Sequence, residues 1–312
     1  MTIFAIFTIL TQAFSMKRTP LERFTSILLC GAILASCAGD PENQDTIDED
    51  VLDPNSSLNT VFDGKIFSIP SPVQTAYLIK SLNLPFDASL LNDDQLVSSY
   101  VTDHKQALNL GIYGTDLGYS TLYDQKSTTM RYLRCVEKLT SDLGLDAAFD
   151  TSFLKRFEQN NGNEDSMILL MSDAFRKADN FLKHANRKST AALILTGGWI
   201  ESIYFACKLN AKKASPDIQR RIGEQKQSLN SIIDILNEYN KGGSNDGLIA
   251  ELQDLKVTFD KIEMVYEYAA PETDKDKHLT TFHHSLEIKI DAVILEEIQQ
   301  KIEAIRTNII KA

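Results

Sequence analysis

Residues 248–269, LIAELQDLKVTFDKIEMVYEYA, contain the clearest structural pattern in the chain. Apolar side chains recur there in alternating steps of four and three, the heptad spacing that places them along one face of an α-helix. The residues on this face are Leu248, Leu252, Leu255, Phe259, Ile262, Tyr266 and Ala269. The pattern predicts a helix over 246–270 that packs against other helices along its length.

The two neighbouring segments, 216–240 and 282–310, also place their apolar residues on one helical face. Gly242 and Gly243 separate the first of them from the central helix, and Pro271 follows that helix. Glycine and proline at these positions end helices. The three segments therefore favour an antiparallel, up-down-up arrangement.

Helical patterns continue towards the N-terminus of the chain. They predict helices over 72–83, 94–124, 127–143, 150–160, 164–185 and 188–212, after a short strand or extended segment at 61–67. The sequence therefore predicts an all-α, multi-helix bundle over 61–312. We expect a single domain, with a subdivision near residue 213 as the alternative.

The first 36 residues have the features of a secretory signal peptide. Lys17 and Arg18 follow Met16, which is a candidate initiator, and an apolar run over 24–34 comes next. This run is too short to span a membrane comfortably and ends in small residues. We expect residues 1–36 to be removed from the mature protein.

The apolar run closes in Leu34-Ala35-Ser36-Cys37, which resembles the bacterial lipobox. The resemblance implies cleavage before Cys37, acylation of its thiol and a lipid anchor in a membrane. Residues 37–60 are acidic and polar, which predicts a flexible tether. Ala38, rather than aspartate, after the cysteine favours the outer membrane by analogy with lipoprotein sorting. The alternative is an ordinary signal peptide or anchor with an incidental cysteine.

Composition narrows the range of functions. The formal net charge is -11, whereas nucleic-acid binding needs a basic patch, so we expect no nucleic-acid partner. The chain has no GxSxG elbow, P-loop, HExxH motif or dinucleotide-binding turn. We therefore expect no cofactor, and a binding role is favoured over an enzyme.

Glycines mark two predicted helices, at Gly111, Gly114 and Gly118 and at Gly197 and Gly198. Each costs about 1 kcal/mol of helix propensity relative to alanine, so a close helix crossing is the favoured explanation. The alternative is a ligand pocket. Its candidate residues are Tyr113, Asp116, Tyr119, Tyr123, Trp199 and Glu201.

Two carboxylates from these helices, Asp116 and Glu201, would be able to bind a cation or perform acid-base chemistry if they converged on open space. The alternative is a buried polar cluster in which an arginine pairs with Glu201. The candidate arginines are Arg131, Arg134 and Arg156.

A weaker candidate is a metal site at His283, His284 and Glu287, whose i, i+3 and i, i+4 spacing places ligands on one helix face. The favoured interpretation is a solvated helix start. Cys135 and Cys207 lie among apolar residues of predicted helices, so buried free thiols are favoured over a disulfide.

The lipobox, the acidic tether and two motifs, LGIYGTDLGY at 110–119 and GGWIE at 197–201, resemble an uncharacterised family of helical Bacteroidetes lipoproteins. The resemblance covers about residues 60–210. It implies a helical fold and an envelope location, and no activity. Our leading hypothesis is a non-enzymatic envelope lipoprotein whose helical body binds a partner protein or a small ligand at or outside the outer membrane. The alternative is a small-molecule or metal-binding protein, with or without catalysis, at the glycine-marked helices.

Overall fold

The computed structural model describes residues 58–62, 65–69, 80, 83–145, 151–160, 166–167, 170, 187–274, 279–281 and 285–311. The described residues belong to one compact unit, Asp48–Ala312. Helices predominate, which confirms the predicted fold class. The signal peptide, Cys37, residues 38–57 of the predicted tether, nearly all of the predicted helix over 72–83 and most of that over 164–185 lie outside the described residues. The predicted end of the tether is wrong, because residues 58–60 belong to a strand, Leu58–Phe62.

Seven α-helices account for most of the described structure. They are α1 (Asp103–Leu122), α2 (Lys126–Asp142), α3 (Thr151–Asn160), α4 (Lys188–Lys212), α5 (Pro216–Glu238), α6 (Asp246–Phe259) and α7 (Ala292–Ile310). Polar side chains cap several of their N-termini. Thr102, Ser215 and Asp291 accept hydrogen bonds from the backbone N–H groups of Lys105, Ile218 and Ile294, which otherwise have no partner in the helix.

Six short strands form three separate antiparallel pairs. They are β1 (Leu58–Phe62), β2 (Lys65–Ile69), β3 (Glu263–Glu267), β4 (Glu272–Asp274), β5 (Leu279–Thr281) and β6 (Ser285–Lys289), paired as β1 with β2, β3 with β6 and β4 with β5. The first pair corresponds to the extended segment predicted at 61–67. The other two pairs lie between α6 and α7, and we call strands β3 to β6, together with residues 268–271 that join β3 to β4, the β arm.

The predicted helix over 246–270 is wrong beyond Phe259. Leu248, Leu252, Leu255 and Phe259 are buried as the heptad predicts, but the helix ends in turns at Phe259 and β3 begins at Glu263. Residues 263–268 read EMVYEY, a short run rich in β-branched and aromatic types, which favour a strand. The heptad match in this segment was a coincidence of spacing.

Two other predicted helices begin later than expected. In the segment 282–310, β6 occupies Ser285–Lys289 and α7 begins at Ala292. In the segment 94–124, Asp94–Ser99 form a short 3₁₀ helix and α1 begins at Asp103, because Thr102 caps it. The predicted helix over 188–212 coincides with α4.

Helices α1 and α4 form the centre of the fold and contact each other more extensively than any other pair of described elements. Both are buried on several faces. Among the described helices, α4 alone is long and apolar enough to cross a membrane, but 78% of its apolar window is buried inside the protein. A core helix has this property, and we place α4 in the core.

Candidate functional site

The contact between α1 and α4 is made by backbone atoms at the predicted glycines. A Cβ atom at Gly111 would lie 2.5 Å from the backbone nitrogen of Gly198 and closer still to the carbonyl oxygen of Ile194. A Cβ at Gly197 would overlap the carbonyl group of Leu108. The helices therefore touch directly, which confirms the close crossing and leaves no room for a ligand at these positions.

This crossing brings Asp116 of α1 and Glu201 of α4 together. Glu201 lies one helical turn after Gly197, on the same face of α4. Both carboxyl groups are fully buried, and they are close enough for the charge of Glu201 to raise the pKa of Asp116. The sequence left open whether Asp116 and Glu201 converge. They do, but neither carboxyl group is exposed to solvent.

The base that pairs with Glu201 is Arg306 of α7. Its Nε donates to Oε2 of Glu201 at 2.5 Å and its Nη2 donates to Oε1 at 2.7 Å. The guanidinium also lies 4.2 Å from the ring centroid of Tyr204, a cation–π distance. The sequence had suggested Arg131, Arg134 or Arg156 as partners. Of these, Arg131 pairs instead with Asp94 near the surface.

The surroundings of Asp116 favour its protonated form. Burial raises the pKa of its carboxyl well above the ordinary value, and repulsion by Glu201 raises it further. Burial also raises the pKa of Glu201, but Arg306 opposes that shift. Within the described structure, Oδ1 of Asp116 is buried and has no hydrogen-bond partner. With Asp116 protonated and Glu201 paired with Arg306, the cluster of the three side chains is electrically neutral.

The same cluster holds a segment that precedes α1. We call residues Asp87–Tyr100 the cap segment. The backbone N–H of Asn92 donates to Oδ2 of Asp116 at 3.2 Å, and Nη2 of Arg306 donates to the carbonyl oxygen of Leu90 at 3.0 Å. Asp116 and Arg306 therefore fasten a short non-α segment to two helices, α1 and α7.

Tyrosine hydroxyls complete the attachment of the cap segment. Tyr113 donates to the carbonyl oxygen of Asp93 at 2.7 Å, and Tyr132 donates to that of Asn92 at 2.6 Å. Tyr119 accepts from the backbone N–H of Asp87. Burial raises the pKa of Tyr119 to about 12, so its hydroxyl stays protonated. These contacts show that the hydroxyls of Tyr113 and Tyr119 serve structural hydrogen bonds.

The remaining candidate pocket residues lie in different surroundings. Trp199 is buried and its Nε1 donates to Oε1 of Gln225 on α5 at 3.0 Å. Tyr123 is half-buried, with its ring 4.9 Å from that of Tyr119 and 5.8 Å from that of Phe86. The six predicted residues therefore do not surround one pocket, and only Asp116 and Glu201 share a polar cluster.

The helical premise of the predicted metal site is wrong for Glu287. His283 and His284 lie outside the described residues, and Glu287 is an exposed residue of β6, where i, i+3 helical spacing does not apply. Lys289 Nζ lies 3.8 Å from its carboxylate. In the part of the chain that the structure describes, no group of three His, Cys, Asp or Glu side chains is arranged to hold a metal ion.

Both cysteines of the described body are buried free thiols, as predicted. Burial raises the pKa of Cys135 and of Cys207 to about 12 in each case. Because the thiolate is the reactive form, both groups are chemically inert in the folded protein.

Replacing Asp116 by asparagine tests its protonation. The pKa of Asp116 is higher in the folded than in the unfolded chain, so folding binds a proton from about pH 4 up to the folded pKa, and the free energy of unfolding falls as pH rises through that window. Asparagine mimics the neutral acid and does not titrate. In the variant, the free energy of unfolding should therefore fall less steeply with pH, by up to about 1.4 kcal/mol per pH unit. Urea unfolding of both proteins between about pH 5 and about pH 9 measures the difference. Parallel stability curves would contradict a protonated Asp116.

The β arm is the part of the described structure where apolar side chains gather on the surface. In the pairing of β3 with β6, Met264 lies opposite Ile288 and Tyr266 opposite Leu286, and these four residues share one face. At the base, Ile288 packs closely on Gly223 of α5. Further out, Tyr266 is 57% exposed and Leu286 43% exposed. The apolar face therefore runs from the core into solvent.

No family model, curated protein or solved structure matches this chain, so the resemblance to helical Bacteroidetes lipoproteins stays a prediction.

Proposed function

We propose that this protein is an envelope lipoprotein, acylated on Cys37, that binds a partner protein through its β arm. The observation that carries the proposal is the exposed apolar face formed by Tyr266 and Leu286. Exposed apolar side chains that cluster, rather than occurring singly, mark interaction surfaces in soluble proteins. Tyrosine in particular is enriched at the centres of protein interfaces.

The distribution of exposed apolar residues favours the arm over the helical body. Among the described residues, the large hydrophobic side chains with high exposure on the arm are Tyr266, Tyr268, Leu279 and Leu286. Elsewhere they are Val101, Val257 and Val293, which lie on separate helices or at a helix start. The heptad faces of the helices, which prompted the hypothesis of partner binding, are largely buried. We therefore assign partner binding to the β arm instead.

The buried cluster of Asp116, Glu201 and Arg306 supports a non-enzymatic function. Arg306 neutralises Glu201 through two hydrogen bonds, and Asp116 is enclosed with it away from solvent. A catalytic acid or base must reach its substrate within hydrogen-bonding distance. We therefore favour a structural role for these carboxylates, and place binding on the arm.

Photo-crosslinking from the arm tests the binding role. We expect a photoreactive phenylalanine derivative at Tyr268, which is 72% exposed, to crosslink a discrete protein in the native envelope. The matched control is the same derivative at Val101, which is 79% exposed and lies outside the arm. Leu286→Ser should weaken the Tyr268 crosslink because it removes part of the apolar face. The same products from both positions, or none from Tyr268, would refute the proposal.

Fatty-acid labelling tests the anchor. The wild-type protein should incorporate labelled palmitate and sediment with membranes, whereas Cys37→Ala should lose the label because it lacks the thiol of the lipobox. Cys30→Ala is the matched control, since that cysteine lies within the predicted signal peptide. Equal labelling of wild type and Cys37→Ala would show that Cys37 is not the acylated residue.

A further inference from the structure

The cap segment is held mainly by groups outside itself. Two short 3₁₀ turns, Ala88–Leu90 and Asp94–Ser99, lie on either side of Asn92, whose backbone N–H and carbonyl both bond to helix side chains. Within the segment, only Leu90, Asn92 and Tyr100 are buried. A segment with few buried side chains and few internal hydrogen bonds can open locally while the rest of the fold stays closed.

The buried attachments of the segment lead to the charged cluster. The N–H of Asn92 donates to Asp116, and the carbonyl oxygen of Leu90 accepts from Arg306. Both of these side chains also face Glu201, which pairs with Arg306. Opening the segment therefore breaks two hydrogen bonds and lets water take the places of the backbone groups beside Asp116 and Arg306.

The cluster contains two carboxyl groups and one guanidinium group. Its charge balances when Glu201 is ionised and Asp116 is protonated. Ionisation of Asp116 adds a second negative charge, while Arg306 supplies one positive charge. The N–H of Asn92 offers the added charge one hydrogen bond, but a buried charge without a counter-charge is far less stable than a hydrated one. The closed segment and an ionised Asp116 therefore disfavour each other.

The other titratable groups around Asp116 keep their protons across neutral pH. Besides Glu201 of α4 and Arg306 of α7, the elements packed around it contribute Tyr113 of α1, Tyr132 and Cys135 of α2 and Tyr100 of the cap segment. Burial raises the pKa of Cys135 to about 12 and the pKa of each of these tyrosines above its ordinary value. Glu201 ionises before Asp116, because Arg306 holds it through two hydrogen bonds. Asp116 is therefore the group whose charge changes as the pH rises.

We propose that the cap segment is a pH-operated lid, which ionisation of Asp116 opens and its protonation closes. This inference goes beyond the binding role of the β arm and does not depend on it. In the open state water hydrates Asp116 and its pKa returns towards the ordinary value, whereas in the closed state burial and Glu201 raise its pKa. The closed state is therefore favoured most below the open-state pKa and loses stability as the pH rises towards the closed-state pKa. Over that window, each pH unit raises the ratio of open to closed segments by up to about tenfold.

Hydrogen–deuterium exchange of the full chain in mild detergent tests the lid. Mass spectrometry follows the exchange of residues 87–100 between about pH 6 and about pH 9, and comparison with an unstructured peptide removes the intrinsic effect of pH on the rate. We expect the resulting protection factor of the wild-type protein to fall by up to about tenfold per pH unit. In Asp116→Asn, which has no carboxyl group at this position, protection should be the same at every pH in the range.

Two further variants assign the effect to the cluster. Asp94→Asn is the matched control, because it makes the same chemical change within the cap segment, at an ion pair with Arg131 near the surface. This control should keep the wild-type dependence on pH. In Glu201→Gln, Arg306 can neutralise an ionised Asp116, so protection should lose most of its pH dependence. The second variant keeps the test available if Asp116→Asn does not fold.

A wild-type protection factor that is independent of pH would overturn the lid. A pH dependence that persists unchanged in Asp116→Asn or in Glu201→Gln would overturn it too, because the charge of Asp116 would not be its cause.

The backbone amides of α4 distinguish local opening from unfolding of the whole protein. They should be more protected than the cap segment by about tenfold or more, and their exchange should respond more strongly to low concentrations of urea. Equal protection and equal urea dependence of the two regions would show that the segment opens only when the whole protein unfolds. That result would also overturn the lid.

Discussion

Replacing Arg306 by methionine should lower the free energy of unfolding by about 3–5 kcal/mol at neutral pH, because it leaves Glu201 as a buried charge without a partner. Methionine keeps much of the apolar volume of the side chain, so the loss of stability reports mainly the removal of the guanidinium charge. Urea unfolding of both proteins measures it. The penalty should shrink at low pH, where protonation of Glu201 removes the unpaired charge.

The control for this substitution is Arg131→Met. Arg131 also forms an ion pair, with Asp94 at 3.1 Å, but its side chain is 52% exposed. Exposed pairs contribute about 0–1 kcal/mol, so this variant should remain close to wild type. The double variant Glu201→Leu, Arg306→Met should recover part of the lost stability, since apolar replacement of a whole buried pair is often neutral. Equal losses from Arg306→Met and Arg131→Met would argue against a buried ion pair.

Gly197→Ala should destabilise the protein by about 3 kcal/mol or more, which is the upper range for overpacking a core. The added methyl group would overlap the carbonyl group of Leu108, and backbone atoms cannot move aside as a flexible side chain can. The gain in helix propensity, about 1 kcal/mol, only partly offsets this cost. Thermal or urea unfolding measures the change.

The adjacent residue provides the control. A Cβ at Gly198 would have its nearest neighbour, the carbonyl oxygen of Gly111, at 3.5 Å, which is ordinary van der Waals contact. Gly198→Ala should therefore leave stability unchanged or raise it by up to about 1 kcal/mol through helix propensity. Opposite effects at two successive glycines would establish the backbone contact, and similar effects would contradict it.

Features governed by local chemistry were predictable from the sequence. Helix α4 begins and ends where its apolar pattern and the following Ser215–Pro216 corner predict. The glycine-marked crossing and the two buried thiols follow from residue type and neighbours. The β arm was missed because Tyr266 and Ala269 continue a heptad by chance, while the run of strand-favouring residues at 263–268 is short.

The partner of Glu201 could not be predicted, because pairing across the fold depends on how helices assemble. Arg306 lies 105 residues further along the chain, in a helix whose pattern gives no sign of that role. Asn92 and Leu90 contribute backbone atoms, which residue type does not reveal. From the sequence, a joint role for Asp116 and Glu201 was predicted only for the case in which the two helices bring them together. The packing of α7 then shows that Arg306 supplies the neutralising charge.

The separation of Arg306 from Glu201 also sets an order of events during biosynthesis. At about 5–20 residues per second, α7 emerges from the ribosome several seconds or more after α4. Throughout that interval Glu201 has no guanidinium to pair with, so enclosing it between α1 and α4 is unfavourable. Docking of α7 is therefore the step that makes enclosure of the charged Glu201 favourable, because it brings the guanidinium of Arg306.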